Sequence, residues 1–217
     1  MLSQVKRVVG MFILAGAVVA GSAEAGPSIA VRAGPEQFMD ESVVDQVKAI
    51  RGVVKVERLL FINAQPNDVI GVEPGRPLRI PSSEGKPLEV KIETGRELKG
   101  SDKNAALMGL KVYREQYGFK APMGGMMHGG HPFEPGSSFA FAGSQERIRV
   151  AGTFSVEPES ESNRVLLPLT TAQRLFSAPG KITHLFVEVD DRENVTKVVD
   201  GIRTLIGDRG DVAAQQK

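Results

Sequence analysis

The sequence predicts an α+β fold: a split β-α-β, ferredoxin-like sandwich with a smaller β-rich lobe inserted in its middle. Three observations carry this. Strand–helix–strand patterns stand near each end of the chain beyond residue 25. A Pro- and Gly-rich stretch with short strand signals separates them. The 41% hydrophobic and 24% charged residues are those of a folded globular chain.

The first pattern opens with a short strand, Ser28 to Arg32. Asp40 then caps a helix whose apolar face is Val43, Val44, Val47 and Ile50, at helical spacings of three and four. Gly52 stands where a left-handed residue commonly ends a helix. The run VVKVERLLFIN, residues 53–63, follows as a strand rich in β-branched residues. Near the far end, RIRVAGTFS (147–155) alternates as a strand and Thr170 with Gln173 makes a capping box for the helix TTAQRLF. ITHLFVEVD (182–190) is a strand, Asp191 is a cap, and a last helix carries Val195, Val198, Val199, Ile202, Leu205 and Ile206 in one stripe before Gly207.

These patterns divide the chain into a sandwich built from 26–63 and 145–207, an inserted β-rich subdomain over 64–144, and a flexible tail over 208–217. The most polar, glycine-dense loop of the insert spans 121–138. No internal repeat of fixed period is visible.

Residues 1–25 read as a secretory signal peptide rather than as part of the fold. Lys6 and Arg7 form a basic head, Val8 to Ala23 carry no charge, and Ala23-Glu24-Ala25 is an A-x-A exit. A short N-terminal anchor in the inner membrane is the alternative, although 16 uncharged residues fall short of the roughly 20 that span a hydrocarbon core. Either way the rest of the chain is expected outside the cytoplasm, in a periplasmic or similar compartment. Loss of this segment removes Lys6, Arg7 and Glu24 and leaves positive and negative charges balanced. With 27 Lys+Arg against 26 Asp+Glu in the whole chain, no basic surplus exists to neutralise a nucleic acid. Zero Cys excludes disulfides, thiolate metal sites and thiol nucleophiles.

One cluster stands out chemically. Met123, Met126, Met127, His128 and His131 lie within nine residues, among glycines that let the backbone wrap an ion. Thioether and imidazole ligands suit Cu(I) above all, and the two histidines also suit Cu(II), Ni(II) or Zn(II). The loop thus admits three readings: a copper-type metal site, an adaptable partner-contact surface built on methionine, or a silent insertion. No cofactor is required by any other residue pattern. G-x-S-x-G, P-loop and dinucleotide fingerprints are absent. His184 lies inside a strand and reads as structural, and the acids Glu157, Glu159, Glu161, Asp190 and Asp191 read as solvated turns and caps. Catalysis is not expected.

Four stretches carry a family resemblance. They are Gly95-Arg96-Glu97-Leu98, then Asn104 through Phe119 (NAALMGLKVYREQYGF), then Ile148 through Phe154 (IRVAGTF), then Val165 through Phe176 (VLLPLTTAQRLF). With the opening helix and its Gly-Val-Val-x-Val exit, their order resembles the periplasmic core domain of MacB/FtsX-like ABC transporter permeases, over most of Ser28 to Gly207. The resemblance implies a porter-like α/β sandwich with a β-rich inserted lobe, no catalytic residues, and a role in binding partner proteins or cargo. The implied partners are a transporter permease, its ATPase or periplasmic adaptor proteins. Such permeases carry one membrane span before this domain and three after it, whereas this sequence has a signal-like head and no later span. The expectation is therefore a domain acting with a separate transporter. The Met/His loop stands where the family has a short glycine turn.

Overall fold

The computed structural model describes residues 27–34, 37–64, 67–75, 77–115, 133–207 and 210–215. The first strand–helix–strand unit forms as its pattern predicts: β1 (Ser28–Ala33), the two-residue β2 (Met39–Asp40), α1 (Ser42–Lys48) and β3 (Val53–Asn63). Glu41, not Asp40, occupies the N-cap of α1. Gly52 takes the expected positive φ, +97°.

The middle of the chain supplies β4 (Asp68–Val72), β5 (Arg79–Pro81), β6 (Pro87–Glu89), β7 (Lys91–Gly95), β8 (Ala105–Gly109), the short α2 (Leu110–Glu115) and β9 (Ser138–Phe139). There follow β10 (Ile148–Ser155), a 3-10 turn at Glu159–Ser162, β11 (Arg164–Pro168), α3 (Leu169–Leu175) and β12 (Lys181–Ile182). The chain closes with β13 (His184–Val189), a 3-10 turn at Arg192–Asn194, α4 (Val195–Ile206) and β14 (Gly210–Gln215). Helix and strand are thus mixed around one central sheet, in the predicted α+β class.

Four strands at one end of that sheet run in the order β14-β1-β13-β3, every neighbour antiparallel. Numbered along the chain this is 4-1-3-2, the ferredoxin-like arrangement, with α1 and α4 as the two crossovers. The second unit differs from its sequence reading. Its helix is α4 rather than the segment 170–176, and its last strand comes from residues 208–217, which read as a flexible tail. The run GDVAAQ has no apolar alternation, so period-2 reasoning passes over it. It becomes a strand because β1 offers it an unbroken register of six pairs.

The sheet continues from β3 through β4, β11, β8, β10 and β7. Among the described residues of the segment 64–144, which read as an inserted β-rich subdomain, strands β4, β7 and β8 join the main sheet, while β5 and β6 form a hairpin off it. The β4–β11 and β8–β10 pairs are parallel, so the sheet is mixed. All five residues of β8 and of β11 are buried. Strands covered on both faces need no alternation of apolar and polar residues, and apart from Arg164 these two strands have none.

One face of the sheet packs against α1, α3 and α4 through side chains such as Val31, Val165, Leu167, Val187, Val198 and Ile202. The other face carries Ile70, Leu107, Phe154, Leu166 and Phe186, and Ile80 of the β5–β6 hairpin is fully buried against it. Burial of that one side chain contributes about 2 kcal/mol.

Two arginines pin the hairpin down. Arg164 donates to the carbonyl of Pro81 and to Glu161, and its guanidinium lies 5.9 Å from the centre of the Phe61 ring. Glu161 in turn accepts from the Ser83 N–H at 3.0 Å and the Ser83 hydroxyl at 2.6 Å, at the hairpin tip. Arg79 meets both oxygens of Glu57 at 2.9 Å and lies 6.0 Å from the Phe186 ring. Burial pushes the Arg164 guanidinium pKa down, against the pull of Glu161 and Asp68. The ion pair is therefore a desolvated one, and losing one partner strands the other.

Two stability changes follow from this packing. A Cβ at Gly109 would overlap the Ser162 carbonyl, while at Gly100 it would meet nothing within 4 Å. Gly109→Ala should cost about 2 kcal/mol and lower the melting temperature by about 4–8 °C. Gly100→Ala should leave it unchanged, and equal melting curves would contradict the packing. Arg164→Met should cost about 3 kcal/mol in urea titration. Adding Glu161→Gln should restore part of that loss, because the orphaned carboxylate is then neutral.

Candidate functional site

The residues singled out by sequence for metal binding, Met123, Met126, Met127, His128 and His131, lie outside the described residues. Among the described residues no three His, Cys, Asp or Glu side chains gather as metal ligands do. The described chain re-enters at Phe133, which begins a ladder of edge-to-face aromatic contacts. Phe133–Phe139, Phe139–Phe141 and Phe141–Phe176 have ring centres 6.1, 5.3 and 5.5 Å apart. This ladder anchors the loop's return to the helix side of the sheet.

His184 sits on the hairpin side of β13, buried beside Phe61, with Nδ1 2.9 Å from the Thr183 hydroxyl. Burial, then the positive charges of Arg32 and Arg164, lower its pKa from 6.5 to about 4. A neutral imidazole with no carboxylate beside it fits a structural role, as its position in the strand suggested.

The polar residues that do converge lie around the hairpin. Between β3 and the residues Pro74 and Pro77 is a groove of about 260 Å³ whose charged lining is Lys55, Glu57, Arg58, Glu73 and Arg79. Burial pushes the Glu57 carboxyl up, and the bonds from Arg79 and Lys55 outweigh it and hold it below the usual range. The hydrogen bond to Glu73 raises the Arg58 guanidinium further, and Glu41 adds a weaker contact at 3.7 Å. A second groove of about 290 Å³ lies on the far side of Pro74 and Pro77, where Leu78, Val90, Ile92 and Leu98 stand beside Glu89 and Glu97. Both grooves thus mix apolar walls with charged side chains. Neither groove pairs a nucleophile with a base.

Sequence reasoning missed these groups. Glu161, read as a solvated turn, is the partner of Arg164; the i,i+3 spacing of Glu161 and Arg164 was the one available signal. The Thr170–Gln173 capping box does not form. Pro168 precedes α3 with no side-chain cap, and Gln173 instead donates to Glu41 at 2.6 Å and to the Lys181 carbonyl at 3.0 Å. Asp191 does cap, accepting from the Glu193 N–H at the 3-10 turn that leads into α4. The Gly95-Arg96 motif is also structural. Gly95 has φ +75° and abuts the Ala151 carbonyl, and Arg96 forms a two-point contact with Asp102, at 2.7 and 3.0 Å, that closes the following loop.

His184 generates a pH test. The unfolded chain takes up a proton near pH 6.5 and the folded one only near pH 4, so the native state is fully stable above 6.5 and weakens as pH falls towards 4. Over that window wild type should lose about 3 kcal/mol more than His184→Gln in urea titrations at successive pH values. Parallel stability curves for the two proteins would contradict the burial.

A family model described as the MacB-like periplasmic core domain matches residues 7–205. No curated protein matches the sequence. Among solved structures the chain is similar to the periplasmic region of MacB from Actinobacillus actinomycetemcomitans, at 14% identity and TM-score 0.58, covering 87% of this chain and 88% of that one. It is also similar to the extracellular domain of the ABC-type transporter YknZ from Gram-positive bacteria, at 13% identity and TM-score 0.54, covering 87% of this chain and all of that one. These likenesses establish a shared fold. With residues 7–205 matched by one family model, the chain belongs to the MacB-like periplasmic core domain family.

Proposed function

We propose that the chain is a non-enzymatic, extracytoplasmic interaction domain that binds partner proteins or cargo of an ABC transporter system. The observation that carries this reading is the family match over residues 7–205. The paired grooves beside Pro74 and Pro77 support it, because each sets apolar walls next to charged side chains. The described residues include no helix long and apolar enough to cross a membrane. Transport energy would come from the ATPase of that system.

The test is site-specific photo-crosslinking in the native envelope, with the reactive group at Leu78, between the two grooves. Permease, ATPase or adaptor subunits should be the cross-linked products. Charge reversal at Glu73 (Glu73→Lys) should reduce their yield several-fold, because rim charges set encounter. Recovery of no transport component across repeated trials would overturn the reading. So would a reporter fused to the C-terminus that shows the chain retained in the cytoplasm.

A further inference from the structure

We propose that β14 is a docking edge for a second copy of this chain, which adds its own β14 antiparallel across a two-fold axis. The inference stands on the main-chain geometry of one strand and does not depend on the transporter reading.

β14 is the last strand of the sheet, and among the described residues it pairs only with β1. Which of its groups are free follows from the other side of β1. The Ala33 N–H bonds the Thr183 carbonyl at 2.8 Å, and the Val189 N–H bonds the Pro27 carbonyl at 3.0 Å. Odd-numbered residues of β1 therefore direct their main-chain groups towards β13, and Ser28, Ala30 and Arg32 direct theirs towards β14. Their register partners are Gln215, Ala213 and Asp211. In an antiparallel ladder the residues between them face away. Gly210, Val212 and Ala214 consequently present three N–H and three C=O groups along the outer edge. The side chain recorded on that edge is Arg203, whose Nη2 lies 3.4 Å from the Val212 carbonyl. That arginine is largely exposed, and so long a contact yields readily to a main-chain donor.

Sheet edges are ordinarily guarded by lysine, proline, bulges or short length. The opposite edge is guarded in this way: β7 carries the Lys91–Glu93 pair, and its ladder with β10 shifts register between Thr153 and Phe154. β14 has none of these devices. Its register is unbroken over six pairs and its sequence is GDVAAQ. The strand is also complementary to itself. With the two-fold axis at Val212, Gly210 of each copy faces Ala214 of the other, and Asp211 faces Ala213. The outward-facing groups at 210, 212 and 214 meet their counterparts, side chains keep to their own faces, and within the strands no like charges stand opposite, while the two exposed Arg203 side chains must swing away from the axis. Each Asp211 keeps Arg32 as its register partner on β1. One short strand buries far less than the roughly 800 Å² per partner of a standard interface, so the association is weak and concentration-dependent.

The absence of cysteine makes a clean test possible. Ala213→Cys and Lys91→Cys would be introduced separately into the full chain in its native envelope and treated with a short bismaleimide. The Ala213→Cys chain should cross-link to itself and the Lys91→Cys chain should not. Ala214→Pro removes a donor that β1 does not use, so on the Ala213→Cys background it should lower the dimer yield about tenfold without altering the melting curve. Independently of any variant, amide exchange at Val212 and Ala214 should slow as protein concentration rises, while exchange at Asp211 and Ala213 stays constant. Equal cross-linking at both edges, no dimer at either, or exchange at Val212 and Ala214 independent of concentration would overturn the proposal. Cross-linking of Ala213→Cys to a different polypeptide in place of its own copy would also overturn it, and would assign the edge to a partner's strand.

Discussion

A sheet whose central strands are apolar on both faces must be covered on both, and the rest of this molecule follows from that constraint. Every residue of β8 and β11 is buried, and the one charge among them, Arg164, is held by hydrogen bonds and an ion pair. Three helices cover one face. On the other, the small β5–β6 hairpin does the work, and a hairpin that short is not stable by itself. Its attachment therefore matters. Arg164 reaches up to it from β11 and Arg79 reaches down from it to Glu57 of β3, each lying over a phenylalanine and bonded to a glutamate. Charged groups in such positions are costly to desolvate, and their geometry rather than their net energy is what they contribute: they set where the hairpin lies.

That placement shapes the grooves of the molecule. Two of them flank Pro74 and Pro77, between β4 and the hairpin; Leu78 lines both, and Arg79 of β5 lines one. A third groove, about 480 Å³, opens between the hairpin tip at Glu84–Lys86 and the small residues Ala30 and Ala213.

Much of this was legible in the chain. The valines of α1, the stripe of α4, the β-branched run of β3 and the glycines at 52 and 207 each act locally, through periodicity or backbone preference, and each formed as read. The family likeness rested on short motifs in order, legible in the chain although the needs they serve are distant: Gly95 makes room for the backbone of Ala151 and Gly152. What escaped were long-range partnerships. Glu57 and Arg79 lie 22 residues apart, and Ser83 and Glu161 lie 78 apart. No spacing rule connects such pairs. Gln173 looked like half of a capping box because it stood at the right offset from Thr170, yet it serves Glu41 across 132 residues.

By itself the sequence determined the α+β class, the first strand–helix–strand unit, the apolar helix faces and the transporter family, because each is written in neighbouring residues or in short ordered motifs. Only the tertiary structure decided that Gly210–Gln215 form β14, that the inserted strands extend the central sheet, and that two arginines lock the hairpin. The physical reason is the same for all three. Strand pairing and buried charge are satisfied by partners far away along the chain, and a segment such as GDVAAQ acquires its conformation from the neighbour it meets.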